Sequence, residues 1–161
     1  MYLYGNIAFM KILFVCLGNI CRSPMAHGLL HHKVQQLGLK WSVDSAGTSD
    51  WHRGELPDAR AIACMKRHGI DITYQQSRPI IRDDFKEFDL IYVMDKANLR
   101  DVLDMANSEE DQHKVALVMS MVYEKDAIDV PDPYFGTGDK GFENVYKMLD
   151  EATDAIIEKY K

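Results

Sequence analysis

The chain has 161 residues, 19 Lys+Arg against 25 Asp+Glu and a net charge of −6, which suits one domain with a full core and disfavours non-specific nucleic-acid binding, which needs basic surface. Three cysteines, Cys16, Cys21 and Cys64, make no disulfide framework and point to a reducing compartment, the cytoplasm. No apolar run is long enough to span a membrane, so an anionic ligand would need a local positive site in a soluble protein.

Residues 1–9 are apolar but lack the basic flank and cleavage site of a signal peptide. They read as an N-terminal extension, and residues 10–161 as the domain proper. Residues 11–15 predict a buried strand, since Ile12, Leu13, Phe14 and Val15 are contiguous and apolar. A loop follows over residues 16–22, carrying Gly18 and Asn19. Ser23 and Pro24 predict a helix start, with the helix running to residue 37 and stopping at Gly38. Residues 41–45 predict a second strand, and residues 47–57 a polar loop with Trp51.

A helix over 58–67, a strand over 90–94 and a helix over 96–105 capped by Asp95 come next. A fourth strand lies within 114–119. Residues 129–140 are rich in Pro, Gly and Asp and read as loop. The last helix, 141–160, repeats apolar residues at helical spacing: Phe142, Val145, Met148, Leu149, Ala152, Ile156 and Tyr160. Strands alternating with helices predict a single α/β domain with a parallel sheet covered on both faces. Ligands in such sheets sit at the carboxyl ends of strands, where Cys16 falls.

The segment Cys16-Leu17-Gly18-Asn19-Ile20-Cys21-Arg22-Ser23-Pro24 has the form C-x5-R-S between a strand and a helix. A loop entering a helix aims several backbone N–H groups at one point, and the helix dipole adds positive potential. A phosphate dianion would fit there, with the planar fork of Arg22 completing the cradle. The same field favours Cys16 as thiolate, the nucleophilic form. Ser23 can donate its hydroxyl to that sulfur. Gly18 and Asn19 suit a left-handed backbone. The G-x-x-x-x-G-K-[ST] loop of nucleotide binders is absent. Thiolate attack on phosphorus also needs an acid for the leaving oxygen. Asp132, in Asp132-Pro133-Tyr134, sits in a loop able to supply it.

With Asp44-Ser45-Ala46-Gly47-Thr48-Ser49-Asp50-Trp51-His52, Pro57-Asp58-Ala59-Arg60-Ala61 and Val93-Met94-Asp95 in the same order, the chain from Met10 onward resembles the low-molecular-weight protein tyrosine phosphatase family. The resemblance implies a four-stranded parallel sheet flanked by helices. It implies a phosphatase acting through a phosphocysteine on phosphotyrosine proteins or other aryl phosphates, without metal or cofactor. It makes Cys16 the nucleophile, Arg22 the clamp and Asp132 the acid and later the base. Asn19 and Ser45 match residues that hold the loop in shape. Trp51 and Tyr134 match the walls of an aromatic slot, with Leu17 and Ile20 at its floor. Inorganic phosphate or sulfate would occupy the loop. Cys21 matches a residue able to form a reversible disulfide with Cys16, while Cys64 reads as core.

Two departures stand out. Tyr134-Phe135 replaces a pair of aromatic hydroxyls, and Gln75-Gln76-Ser77-Arg78 lacks the histidine that supports the loop asparagine in many relatives. His27, His31 and His32 lack the surroundings of a metal site and read as a solvated helix face. Asp83, Asp84, Glu109, Glu110 and Asp111 also read as solvated. A cysteine-based arsenate reductase would relay a disulfide through further cysteines, and none follows Cys64. Phosphoarginine is a rival substrate; the resemblance implies that Ile20, rather than a smaller polar residue, favours the tyrosine type. A silent phosphate-binding module would need one of Cys16, Arg22 or Asp132 to be missing.

Overall fold

A computed structural model describes residues 9–136 and 138–161. The extension expected over residues 1–9 lies outside these apart from Phe9. Strand β1 (Met10–Cys16) is followed by α1 (Arg22–Leu37), β2 (Trp41–Gly47), α2 (Ala59–Arg67) and α3 (Asp84–Glu87). Then come β3 (Leu90–Val93), α4 (Lys96–Met105), α5 (Glu109–His113), β4 (Val115–Leu117), a 3-10 turn (Val118–Met121) and α6 (Lys140–Tyr160).

The strands form one parallel sheet in the order β2-β1-β3-β4. β1 is central because both of its faces are apolar. Side chains alternate across a strand, so Ile12 and Phe14 join the core with α1, α2 and α6, while Leu13 and Val15 join Ile80, Phe85 and Val102 on the other face. Helices therefore cover both faces, as the alternation of elements predicts. Phe14 is fully buried, and truncating it to Ala would cost about 3–5 kcal/mol. The order of strands switches at β1, with β2 on one side and β3 on the other. A crevice opens at such a switch, beyond the carboxyl end of the strand.

Several boundaries and surroundings differ from the sequence reading. α1 begins at Arg22 with Cys21 as its cap residue and no side-chain cap, because the Ser23 hydroxyl is turned to Cys16 and Asn19 instead. It ends at Gly38, whose φ of 67° is the left-handed conformation glycine allows. β2 runs two residues further than predicted, to Gly47, paired with Cys16. α3 and α5 are four and five residues long, too short to carry a helical repeat. Asp84 is not solvated: it is 4% exposed, and its carboxylate accepts from Arg78 Nη1 and Nη2 at 3.0 and 3.1 Å. Cys64 is buried as predicted, with burial first and Glu143 second pushing its thiol up to about 11.

Candidate active site

Beyond β1, residues 17–21 make a loop whose carbonyls are tied from outside. Cys16 O accepts from Thr48 N, Leu17 O from Ser49 N, Ile20 O from Asp58 N and Cys21 O from Met25 N. Gly18 O accepts from Ser77 Oγ at 3.0 Å. No acceptor among the described residues takes the N–H groups of residues 18–20, which leaves them available to an anion. Among the described residues, Asn19 holds the one positive φ outside glycine, 55°. Gly18 does not share this conformation, contrary to the sequence reading; a Cβ there would meet the His52 ring at 3.1 Å, so space is its constraint. At Gly47 a Cβ would meet Leu17 O at 2.8 Å, which explains glycine at the end of β2.

Inside the loop, Cys16 Sγ lies 3.0 Å from Ser23 Oγ. Asn19 Nδ2 donates to Ser23 Oγ at 2.8 Å and to Ser45 Oγ at 3.0 Å. Asn19 Oδ1 accepts from Arg78 N at 3.0 Å. Gln75, standing where many relatives have histidine, donates instead to Pro24 O. His27 also differs from the solvated reading: it is 7% exposed, with the Tyr74 ring near-perpendicular to it at 5.6 Å and Nδ1 3.3 Å from Ser45 Oγ. Burial lowers its pKa to about 4.

Arg22 is 3% exposed. Its Nη1 donates to Asp95 Oδ2 at 2.7 Å and Val130 O at 2.9 Å, and Nη2 lies 3.7 Å from Asp132 Oδ2. Burial works against its charge, but Cys16, Asp95 and Asp132 more than offset this. Asp95 caps α4 through a capping box with Asn98, as predicted, and anchors Arg22 as well. Asp132 Oδ1 accepts from Tyr134 N at 3.0 Å, an Asx turn that sets the loop.

Cys16, Leu17, Gly18, Ile20, Cys21, Arg22, Trp51, Asp132 and Tyr134 line one cleft. Asn19, Ser23 and Ser45 lie behind it as buried supports. Trp51 is 72% exposed and stands at the rim. Burial first, then Asp58, Cys16 and Asp132, raise the Cys21 thiol pKa. His52 and Phe135 also line the cleft, though the sequence reading named them without giving either a place in the site; His52 follows Trp51 directly, and that adjacency was the available signal.

A connection missed entirely joins α2 to the Asp132 loop. Asp58 accepts from Arg60 N, Nε and Nη2 at 2.8, 3.0 and 3.0 Å, and the Arg60 side-chain bonds hold the Asp58 carboxyl below its usual range. Arg60 Nη2 also donates to Tyr134 O at 3.1 Å, while Asp58 N donates to Ile20 O. One ion pair thus touches both the anion loop and the loop of the candidate acid.

The family model for low molecular weight phosphotyrosine protein phosphatase matches residues 11–161. The chain belongs to that family. A phosphatase of this name from Sus scrofa is 40% identical over 154 residues, 94% of this chain and 96% of the relative. A protein tyrosine phosphatase from Entamoeba histolytica, with Hepes in its active site, superposes with a TM-score of 0.86 at 39% identity, covering 93% and 96% of the two chains. The Drosophila arginine phosphatase superposes at 0.87 with 39% identity, covering 94% and 98%. Membership makes this chain a hydrolase of the cysteine-dependent phosphatase type. No helix among the described residues is long and apolar enough to cross a membrane.

Proposed function

We propose that residues 10–161 form the catalytic domain of a protein tyrosine phosphatase in which Cys16 is the nucleophile, Arg22 the phosphate clamp and Asp132 the proton donor. The observation that carries this reading is that Cys16, Arg22 and Asp132 line one cleft walled by Trp51 and Tyr134. The phosphate of an aryl ester sits among the loop N–H groups and the Arg22 guanidinium. The Cys16 thiolate attacks phosphorus, the P–O bond to the phenol breaks, and Asp132 gives its proton to the departing oxygen. Asp132, now ionised, takes a proton from water as the water oxygen attacks phosphorus. The P–S bond breaks, and thiolate and inorganic phosphate result. Every step uses side chains already in the cleft, so neither metal nor cofactor enters. The chemistry needs a reduced cysteine, which suits the cytoplasm.

Likeness to an arginine phosphatase means that the fold alone does not choose the substrate. The lining supports an aryl ester: Leu17, Ile20, Trp51, Tyr134 and Phe135 suit an aromatic ring, whereas a guanidinium against Ile20 would lose hydrogen-bonding water without replacement. Phosphotyrosine peptides and phosphoarginine, offered in a chelating buffer to wild type, Cys16→Ser and Asp132→Ala, test the assignment. Hydrolysis of phosphotyrosine by wild type, lost in Cys16→Ser and lowered at least about a hundredfold in Asp132→Ala, is the expected result. Turnover surviving in Cys16→Ser, or a preference for phosphoarginine, would overturn the mechanism or the substrate class respectively.

A further inference from the structure

The hydrogen bonds behind the cleft have a direction that can be deduced. The backbone N–H of Arg78 can only donate, so the atom it meets on Asn19 is the carbonyl oxygen. The Asn19 amide nitrogen is then the atom facing Ser23 Oγ and Ser45 Oγ, and it donates to both. Each hydroxyl, having accepted, keeps its own proton to give. For Ser23 the near acceptor is Cys16 Sγ at 3.0 Å, ahead of Ala46 O at 3.4 Å. For Ser45 the partner within reach among the described residues is His27 Nδ1 at 3.3 Å. With Nδ1 offering its lone pair to that proton, the imidazole is neutral and carries its own proton on Nε2.

We propose that His27 is a positioning residue for the nucleophile: by accepting the Ser45 hydroxyl proton it aims the Ser45 oxygen at Asn19, and so holds the Asn19–Ser23–Cys16 chain in register. The proposal rests on the reading of Cys16 as nucleophile. The neutral state is what the surroundings support. The Tyr74 and His31 rings meet the imidazole near-perpendicularly, with centroids 5.6 and 6.5 Å away, while burial outweighs the attraction of Asp44, and His31 and Arg78 add to the depression. A protonated His27 would turn a second donor on Ser45 Oγ and leave the hydroxyl proton without an acceptor.

A purely packing role and a positioning role make opposite predictions for two variants. His27→Phe fills the space but has no acceptor. His27→Asn leaves space but can place its carbonyl oxygen near the position of Nδ1. We expect His27→Phe to slow alkylation of Cys16 by iodoacetate at pH 6, and to lower kcat more than it changes KM, each by about fivefold, the worth of one hydrogen bond. His27→Asn should stay within about twofold of wild type on both, despite a lower Tm. In the Ser45→Ala background His27→Phe should add nothing, since it acts through Ser45. Nitrogen-15 NMR of wild type should find Nδ1 unprotonated at pH 7. Alkylation and NMR do not depend on turnover, so they separate failure of this proposal from failure of the phosphatase reading. A wild-type rate in His27→Phe, a Phe-like rate in His27→Asn, additivity with Ser45→Ala, or a protonated Nδ1 would each overturn it.

Discussion

The guanidinium of Arg22 is held by Asp95, with Nη1 2.7 Å from Oδ2 in the buried wall of the cleft. Asp95 comes from the end of β3 and also caps α4, so one carboxylate fixes both a helix and the phosphate clamp. Asp95→Ala leaves Arg22 without its partner and should cost about 3 kcal/mol for the broken pair plus about 1 kcal/mol for the cap. Asp95→Asn keeps the cap, so it should recover part of the stability and little of the activity. Urea melts and kcat/KM of the two variants check this; equal loss of stability in both, or near-wild-type activity in Asp95→Asn, would contradict it.

Arg60 links Asp58 to the carbonyl of Tyr134, and its charge lies 5.4 Å from the Tyr134 ring centre. Arg60→Ala should loosen the loop that carries Asp132. Because a proton donor works only when positioned, kcat should fall by about tenfold with KM less affected. A steady-state titration with p-nitrophenyl phosphate reads both constants. An unchanged kcat would show that the Asp132 loop holds its place without Arg60.

His27 gives the protein an acid limit. Its folded pKa lies near 4 against about 6.5 in the unfolded chain. Above 6.5 both states are neutral and His27 adds no pH dependence. Between 6.5 and 4 the unfolded chain binds the proton and the folded one does not, so stability falls as pH falls, by a total on the order of 3 kcal/mol. His27→Phe should therefore lose less stability than wild type between pH 7 and pH 4.5. Parallel urea-denaturation curves for the two proteins across that range would contradict this.

Cys21 shares the cleft with Cys16 and is held as a thiol by burial, Asp58 and its other anionic neighbours. The family resemblance implies that a Cys16 sulfenic acid formed by peroxide would be trapped by Cys21, forming the disulfide and releasing water. Wild type inactivated by peroxide should regain activity with a thiol reductant, and Cys21→Ser should regain far less. Equal recovery in the two proteins would remove Cys21 from this role.

The site was legible in sequence where its chemistry is contiguous: Cys16, Arg22 and the residues between them share one loop, and the strand before it is plain from its apolar run. Contacts made by distant segments were not legible. His27 lies on the α1 face covered by Tyr74, and a helical pattern cannot show which face a later loop will bury. Asp84 is buried because Arg78 draws it in, although its sequence neighbours are charged. Gly18 is set by the His52 ring rather than by its own backbone. Ser23 has the signature of a helix cap, yet the nearby sulfur and the Asn19 amide claim its hydroxyl. The short helices α3 and α5 give no period to read.

In the proposed mechanism phosphate passes through Cys16. Rapid-quench mass spectrometry during turnover of p-nitrophenyl phosphate tests it most directly. Asp132→Ala is the informative protein: p-nitrophenolate departs without an acid, whereas breakdown of the intermediate needs the base, so a phosphate adduct should accumulate on the peptide carrying Cys16. Cys16→Ser should show neither adduct nor turnover. Turnover without any adduct on Cys16, or an adduct on a different side chain, would contradict the mechanism.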